Sequence, residues 1–445
     1  MKYTQFTESQ VQEALRVIGA DSIDALFSTI PSKLRMKGEL DLPRGLSEPE
    51  LLKDAERLAS RTSGCDELVS FLGCGSYDHF IPTLVDALSG QTEFVTAYTP
   101  YQAEASQGVL QLFYEFQTMI CALTGMEAAN ASLYEVASAA AEAVLMATSA
   151  TRRRRVLVSA SVHPDTRRVL QTYLNPQAVE LVTLPAPDGA VDEDALKGEM
   201  DESTAAVVVQ TPNLYGCLER LDRIVPVVHA QQALAIVSTD PIACGMLKPP
   251  GAFGVDIVVG EGQGLGIPLQ YGGPYLGLLA TREKYLRKMP GRVVGMTKDV
   301  EGRRGFCLAL QTREQHIKRE RATSNICTNQ GLLATRAAIY MASMGQRGLV
   351  EVASQCFDKS HYAAREIGKL RGYELRFDAP FFKEFVVRTD RGVEAVLGAC
   401  RQRGMLAGVP MGRFDERLSD CFAVAVTEKR TKEEIDELVA ALADA

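Results

Sequence analysis

Five short apolar runs constrain this chain more than any other feature. Residues 156–160 read VLVSA, 179–184 VELVTL, 205–210 AAVVVQ, 234–239 LAIVST and 255–259 VDIVV. Each run is continuous rather than alternating, so each must be buried on both faces. Helical stretches separate them, among them 164–173, 192–200 and 223–233. The pattern predicts an α/β fold with a doubly wound, mostly parallel sheet. In such a sheet a ligand sits beyond the carboxyl ends of the strands. At 445 residues the chain exceeds one simple core. It divides on reading into a helical N-terminal arm (1–63), a large α/β domain (64–329) and a small α+β domain (330–445).

Local signals support that division. Thr7 with Gln10, Ser47 with Glu50 and Ser132 with Glu135 have the spacing of capping boxes. The second opens a helix over 48–61, and the third is expected to open an alanine-rich helix reaching about Ala150. Val109, Leu112, Phe113, Phe116, Ile120 and Leu123 share one face of a helix over 102–125, which Gly125 ends. Beyond 330, helices over 332–345, 348–371, 391–403 and 431–443 mix with strands over 373–377, 383–389 and 421–427. The four arginines 152–155 follow a helix and read as favourable charge at its C-terminus.

Composition narrows the class. The chain is 46% hydrophobic and 23% charged, as for a soluble globular protein, and its net charge of −8 argues against a nucleic-acid surface. Ten cysteines without a CxxC pair predict reduced thiols, no metal site and a cytoplasmic setting. No apolar run approaches the ~18 residues that span a bilayer, and the polar start MKYTQFTESQ shows no signal peptide.

The chemistry centres on VDIVVGEGQGLGIPLQYGGPYLG (255–277), a strand, a glycine loop and a second strand. Such glycines admit close backbone approach to a ligand. In many pyridoxal-phosphate enzymes a loop so placed carries the lysine that holds the cofactor. Here no lysine lies between Lys248 and Lys284. Asp240, ending the strand LAIVSTD, stands where an aspartate pairs with the pyridine nitrogen, although alone it reads equally as a turn or N-cap residue. Two further clusters are polar. FVTAYTPYQAEASQG (94–108) contains Tyr98, Thr99, Tyr101, Gln102, Glu104 and Ser106, which can orient a ligand or cap the following helix. QTREQHIKRERATSNICT (311–328) contains Arg313, His316, Lys318, Arg319, Arg321 and Asn325. Read as a helix, it presents a basic face that is either solvated or an anion or docking site. His79 in GCGSYDH reads as a turn residue or an acid/base. The glycine spacing does not match a dinucleotide loop, and no GxxxxGK[ST] phosphate loop, HExxH or GxSxG motif occurs.

EFVTAYTPYQAEASQG (93–108), QTMICALTGMEAANASLYE (117–135), VGEGQGLGIPLQYGGPYLG (259–277) and TREQHIKRERATSNICT (312–328) occur in this order. Through them the chain resembles the N-terminal half of the glycine cleavage system P-protein family, glycine dehydrogenase (decarboxylating). The likeness is closest to subunit 1, the α subunit, of the two-subunit form, and runs from residue 17 to the end. It implies the fold of type I pyridoxal-phosphate enzymes. It also implies a division of labour in a heterotetramer, in which the cofactor-bearing subunit 2 has a His-Lys-Thr loop. Ile267-Pro268 match the pair after that loop, which places Gln263 at the lysine position. Glutamine cannot form an imine, so Asp240, Gly262, Gln263 and Gly264 are expected to mark a vestigial site with no cofactor of its own. The implied reaction is decarboxylation of glycine, with the aminomethyl group passing to the lipoyl arm of H-protein and release of carbon dioxide. The chain alone is expected to be inactive.

The resemblance further suggests that Tyr98, Thr99, Tyr101 and Gln102 reach the partner's site, with Arg313, His316 and Asn325 lining its approach. Related sequences carry Asp-Gly-Ala-Thr where this chain has Glu135-Val136-Ala137-Ser138, so no phosphate contact is expected there. Two competing readings are an autonomous pyridoxal-phosphate enzyme using another lysine such as Lys248, and a degenerate homodimer that scaffolds or regulates.

Overall fold

The computed structural model describes residues 5–36, 38, 40–95, 99–322, 324–326 and 328–445. Met1–Ser63 and Gly64–Ala445 are separate compact units. In the first unit, helices Glu8–Ile18 and Glu48–Ala59 begin at the expected capping boxes, with Gln10 and Glu50 bonding back to Thr7 and Ser47.

The second unit is built on a seven-stranded sheet. Its strands are β1 (Ala128–Ala129), β2 (Arg155–Ser159), β3 (Glu180–Leu184), β4 (Thr204–Thr211), β5 (Leu234–Thr239), β6 (Ile257–Glu261) and β7 (Gly277–Thr281). They lie in the order β1-β7-β6-β5-β4-β2-β3. Pairs among β2 to β6 are parallel, while β7 runs antiparallel to both β6 and β1. The continuous apolar strands are explained by two cores. Val156, Val158, Val208, Ile236 and Val259 face α2 (Val136–Thr151) and α3 (Pro164–Leu174). Leu157, Val207, Val237 and Val258 face α1 (Gln107–Thr124), α5 (Leu221–Ala230) and α6 (Gly331–Ile367), with α4 (Glu193–Glu199) at the rim.

A hairpin, β8 (Val293–Lys298) with β9 (Arg304–Ala309), follows the sheet. A second sheet contains β10 (Tyr373–Leu375), β11 (Glu384–Thr389), β12 (Val409–Pro410) and β13 (Cys421–Ala425), antiparallel in the order β10-β11-β13-β12. Helices α7 (Val393–Gln402) and α8 (Lys432–Asp444) close over it.

Three local expectations are revised and one is met. The helix after residue 132 starts three residues later than its capping box predicted. Glu135 is itself the N-cap and boxes with Ser138, because buried Ser132 takes a left-handed conformation (φ 97°) that no helix start accepts. The helices expected over 332–345 and 348–371 are borne out, since the backbone of α6 is non-helical at Gly345 (φ 59°, ψ −177°) and divides there. The basic helix over 311–328 does not form. Gln315–Lys318 is a single turn between Leu310 and Arg319, both at φ 54°, where side chains break helical geometry. Arg152–Arg155 do more than balance a helix end, since Arg153 donates to the carbonyls of Thr204 and Gln231. Among the described residues nine cysteines are free thiols, and no helix is long and apolar enough to cross a membrane.

Candidate functional site

The carboxyl ends of β4, β5 and β6 open into a cleft of about 590 Å³, walled by residues 72–77, the start of α2 and the segment before β11. Gln263 lies on its floor, 2% exposed. Its amide is fully committed inside the protein. Oε1 accepts from the Tyr77 N–H (3.0 Å), and Nε2 donates to the carbonyls of Tyr77 (3.1 Å) and Ile267 (2.8 Å). A neutral side chain with one acceptor and two donors satisfies this backbone frame, which a lysine ammonium could not.

The loop glycines serve packing. A Cβ on Gly262 would sit 2.8 Å from Leu276, and one on Gly264 would sit 3.2 Å from both His79 and Ile242. Their expected role in admitting a ligand gives way to close approach by the protein itself. Glu261 caps the same turn. It accepts from the N–H groups of Val136 (3.2 Å), Leu276 (2.9 Å) and Gln263 (3.2 Å), while burial lifts its pKa to about 8.

Asp240 is at the mouth of β5 as expected. Its Oδ1 accepts from the Ile242 N–H (2.9 Å), and its Oδ2 is 2.6 Å from Nζ of Lys383. Lys383 is the central residue that the sequence did not reveal. It is 2% exposed, sits 2.8 Å from His79 Nε2 and lies over the Tyr77 ring at 3.7 Å. An ammonium has only donors, so His79 Nε2 accepts from it and Nδ1 carries the proton. That proton faces Glu428 Oε2 at 2.6 Å, and Glu428 Oε1 accepts from the Phe80 N–H (2.7 Å). A largely buried polar chain thus runs Asp240–Lys383–His79–Glu428, with a neutral His79 between the charged groups. Beside it, Glu384 takes the Cys74 N–H (2.7 Å) and the Tyr77 hydroxyl (2.9 Å), and burial raises its pKa to about 7.

His79, Cys356 and Glu428 bring metal-type donor atoms within 4.8 Å of one another. The Lys383 ammonium on the far side of the imidazole opposes a dication there, and Glu428 is already saturated. This group reads as the end of the ion-pair chain.

The other predicted residues gather elsewhere. Tyr98 lies outside the described residues. Thr99 accepts from the Tyr101 N–H through its carbonyl (2.8 Å), and Gln102 is exposed. Half-exposed Tyr101 receives a hydrogen bond from Arg292 Nη2 (3.2 Å) and meets half-exposed His316 edge to face at 6.3 Å. Asn325 is exposed. Arg313 does not face outward. Its guanidinium donates to the carbonyls of Leu310 (3.1 Å), Gly291 (3.1 Å) and Met289. Lys248 borders a different cavity, its ammonium 4.4 Å from the Phe253 ring. Arg292 and Asn329, missed from sequence, complete the Tyr101 cluster through a 3.3 Å bond. Their partners lie far off in the chain, so no local pattern marks them.

Comparison with known structures first defines the class. Glutamate decarboxylase from Lactobacillus brevis (TM-score 0.70, 13% identity, 93% of this chain and 96% of that one) shares the fold. So does sphingosine-1-phosphate lyase from Burkholderia pseudomallei (TM-score 0.67, 16% identity, 93% and 94%). The fold is that of the pyridoxal-phosphate-type enzymes.

The particular family follows from closer relatives. A sequence profile of the glycine cleavage system P-protein matches residues 1–442. A crystal structure of glycine decarboxylase (P-protein) of the glycine cleavage system, in inhibitor-bound form, superposes with TM-score 0.92 at 43% identity over 100% of both chains. The probable glycine dehydrogenase (decarboxylating) subunit 1 of Bacillus cytotoxicus is 49% identical over 98% of each chain. That of Carboxydothermus hydrogenoformans is 50% identical over 99% of each. The chain belongs to the glycine cleavage system P-protein family. The family is pyridoxal-phosphate-dependent, and the designation subunit 1 implies a partner subunit.

Proposed function

We propose that this chain is the subunit of glycine dehydrogenase (decarboxylating) that carries no cofactor of its own. It works with a partner P-protein subunit that holds pyridoxal phosphate on a His-Lys-Thr loop. Together they decarboxylate glycine, release carbon dioxide and pass the aminomethyl group to the lipoyl arm of H-protein. The observation that carries this reading is Gln263, buried at the lysine position with both ends of its amide bonded to backbone.

Residues present here do not suit a resident cofactor. No lysine lies between 248 and 284. Lys248 borders another cavity, and the Lys383 amine is held by Asp240 and His79. The contribution of this chain is therefore structural and recognitional. Thr99, Tyr101 and Gln102, with His316, offer hydroxyl, amide and imidazole groups on one polar face, and exposed Asn325 adds a further amide. Tyr98 belongs to the same sequence cluster. On this reading these groups complete the partner's site, while Arg313 and Arg292 hold that face in shape.

The test mixes the chain with the lysine-bearing subunit, pyridoxal phosphate and lipoylated H-protein, and follows glycine–carbon dioxide exchange. Exchange is expected from the mixture and from neither chain alone. Exchange by this chain alone, or by the partner at full rate without it, overturns the proposal. Tyr98→Phe with Tyr101→Phe is expected to lower turnover or glycine affinity, and unchanged kinetics would remove those residues from the site.

A further inference from the structure

We infer that Lys383 and Glu135 are resident ions that replace the two charged ends of a cofactor, so the cleft excludes pyridoxal phosphate even if a lysine is restored at 263. This goes beyond the assembly reading, because it concerns the chain's own cleft and holds whether or not a partner is present.

At one end stands the aspartate. An Asp at the mouth of a central strand can pair with the protonated ring nitrogen of a pyridine cofactor. Here Lys383 Nζ is already 2.6 Å from Asp240 Oδ2, with Tyr77 beneath it at 3.7 Å and His79 beyond at 2.8 Å. An arriving ring would have to expel a buried ammonium and leave it without a counter-ion.

The other end is a helix start. The N-terminus of a helix attracts a phosphate because its first N–H groups lack partners and carry partial positive charge. In α2 all of the first four are taken. Val136 donates to Glu261 Oε2 (3.2 Å), Ala137 and Ser138 donate to the Glu135 carboxylate (2.6 and 2.9 Å), and Ala139 donates to the Glu135 carbonyl (3.0 Å). Two carboxyl side chains occupy the place of an anion, and a phosphate would meet the charge of Glu135 and spent donors rather than free ones. The opposite signs at the two ends are thus both supplied from within.

Lys383 gains a second role from its position. It immediately precedes β11 of the small sheet, whereas Asp240 immediately follows β5 of the large one. The pair fastens one sheet to the other across the cleft, a tie that a bound ligand would otherwise provide.

The experiment treats the purified full chain with pyridoxal phosphate, reduces it with borohydride and maps labelled lysines by mass spectrometry, alongside the imine absorbance band. Wild type and Gln263→Lys are expected to remain unlabelled at 263 and 383. Gln263→Lys combined with Glu135→Ser and Lys383→Met is expected to label at 263, Ser keeping a helix cap. Stoichiometric labelling of Gln263→Lys alone overturns the inference. So does a triple variant that keeps wild-type circular dichroism at the labelling temperature yet stays unlabelled, since the barrier then lies elsewhere. A measurement on wild type alone guards against unfolded variants. Competitive amine modification is expected to label Lys383 at least roughly tenfold more slowly than exposed Lys432, its ammonium being paired and desolvated. Equal rates overturn the assignment of Lys383 as a held ion.

Discussion

The cleft beside β5 and β6 and the polar face around Tyr101 look alike in sequence, as both are rich in Tyr, Gln and charge. In the structure they are opposites. In the cleft, charged groups are buried and answer each other: Lys383 answers Asp240, His79 answers Glu428, and α2 answers Glu135 and Glu261. Around Tyr101, polar groups that look inward are spent on backbone, and those that look outward stay exposed. Gln107 exchanges two hydrogen bonds with the backbone of Phe306 (2.8 and 2.9 Å), and Gln117 does the same with Val294 (2.9 and 3.0 Å). These glutamines stitch α1 to the hairpin as an extra strand would. The comparison teaches that a polar cluster indicates function only once its internal obligations are subtracted. After subtraction the cleft is self-sufficient, and the Tyr101 face keeps exposed polar groups.

The largest effect of a substitution that can break this contrast is at Lys383. Lys383→Met leaves the partly buried Asp240 without its counter-ion, with an expected loss of about 3 kcal/mol. Adding Asp240→Asn recovers most of it by removing the orphan charge. Denaturant unfolding of the single and double variants measures both, and additive losses would mean the two residues do not act as a pair.

Acidity gives the next test. Glu384 and Glu261 rise through burial to about 7 and about 8 from an ordinary 4.5. Their folded pKa values are raised, so their favourable contribution is complete below pH 4.5 and is lost as pH climbs through 7 and 8. The expected cost at the alkaline end is on the order of 3 kcal/mol at Glu384 and 5 kcal/mol at Glu261. Melting temperature should fall across that window. Glu384→Gln should flatten the first part and Glu261→Gln the second; an unaltered profile in both would show the carboxylates to be solvated.

On the other side of the comparison, Gln117→Leu strands the Val294 N–H and carbonyl and should cost about 2 kcal/mol, read by the same unfolding curves. A neutral result would mean the stitch is decorative. The smallest change in stability belongs to Tyr101→Phe. It removes one half-exposed hydrogen bond, worth within about 1 kcal/mol, yet in the reconstituted assembly glycine–carbon dioxide exchange should drop about tenfold by loss of positioning. Loss of stability without loss of exchange would reverse the roles assigned to the two regions.

Much of this was legible in the chain. Continuous apolar runs can satisfy both faces only inside a doubly covered sheet, so the α/β class followed from solvent exclusion alone. Capping chemistry located the helix starts at 8 and 48, where the partners lie three residues apart. Asp240 and the glycine loop stood out because a strand end and a glycine cluster are local patterns, whereas Gln263 was singled out by the family resemblance. The basic segment 311–328 misled for the complementary reason. Its charge suggested a helical face, but left-handed residues at 310 and 319, and the anchoring of Arg313 to Leu310, Met289 and Gly291, are set by packing.

What the sequence determined by itself is therefore the layered fold and a glycine loop without a lysine between 248 and 284, both written in contiguous residues. Only the tertiary structure decided what fills the cleft. Lys383 and Asp240 come from different sheets, His79 and Glu428 from opposite ends of the second unit, and Glu135 and Glu261 from a helix start and a strand end. A charge has meaning only beside its counter-charge. At separations of this length along the chain, folding alone determines which charges become neighbours.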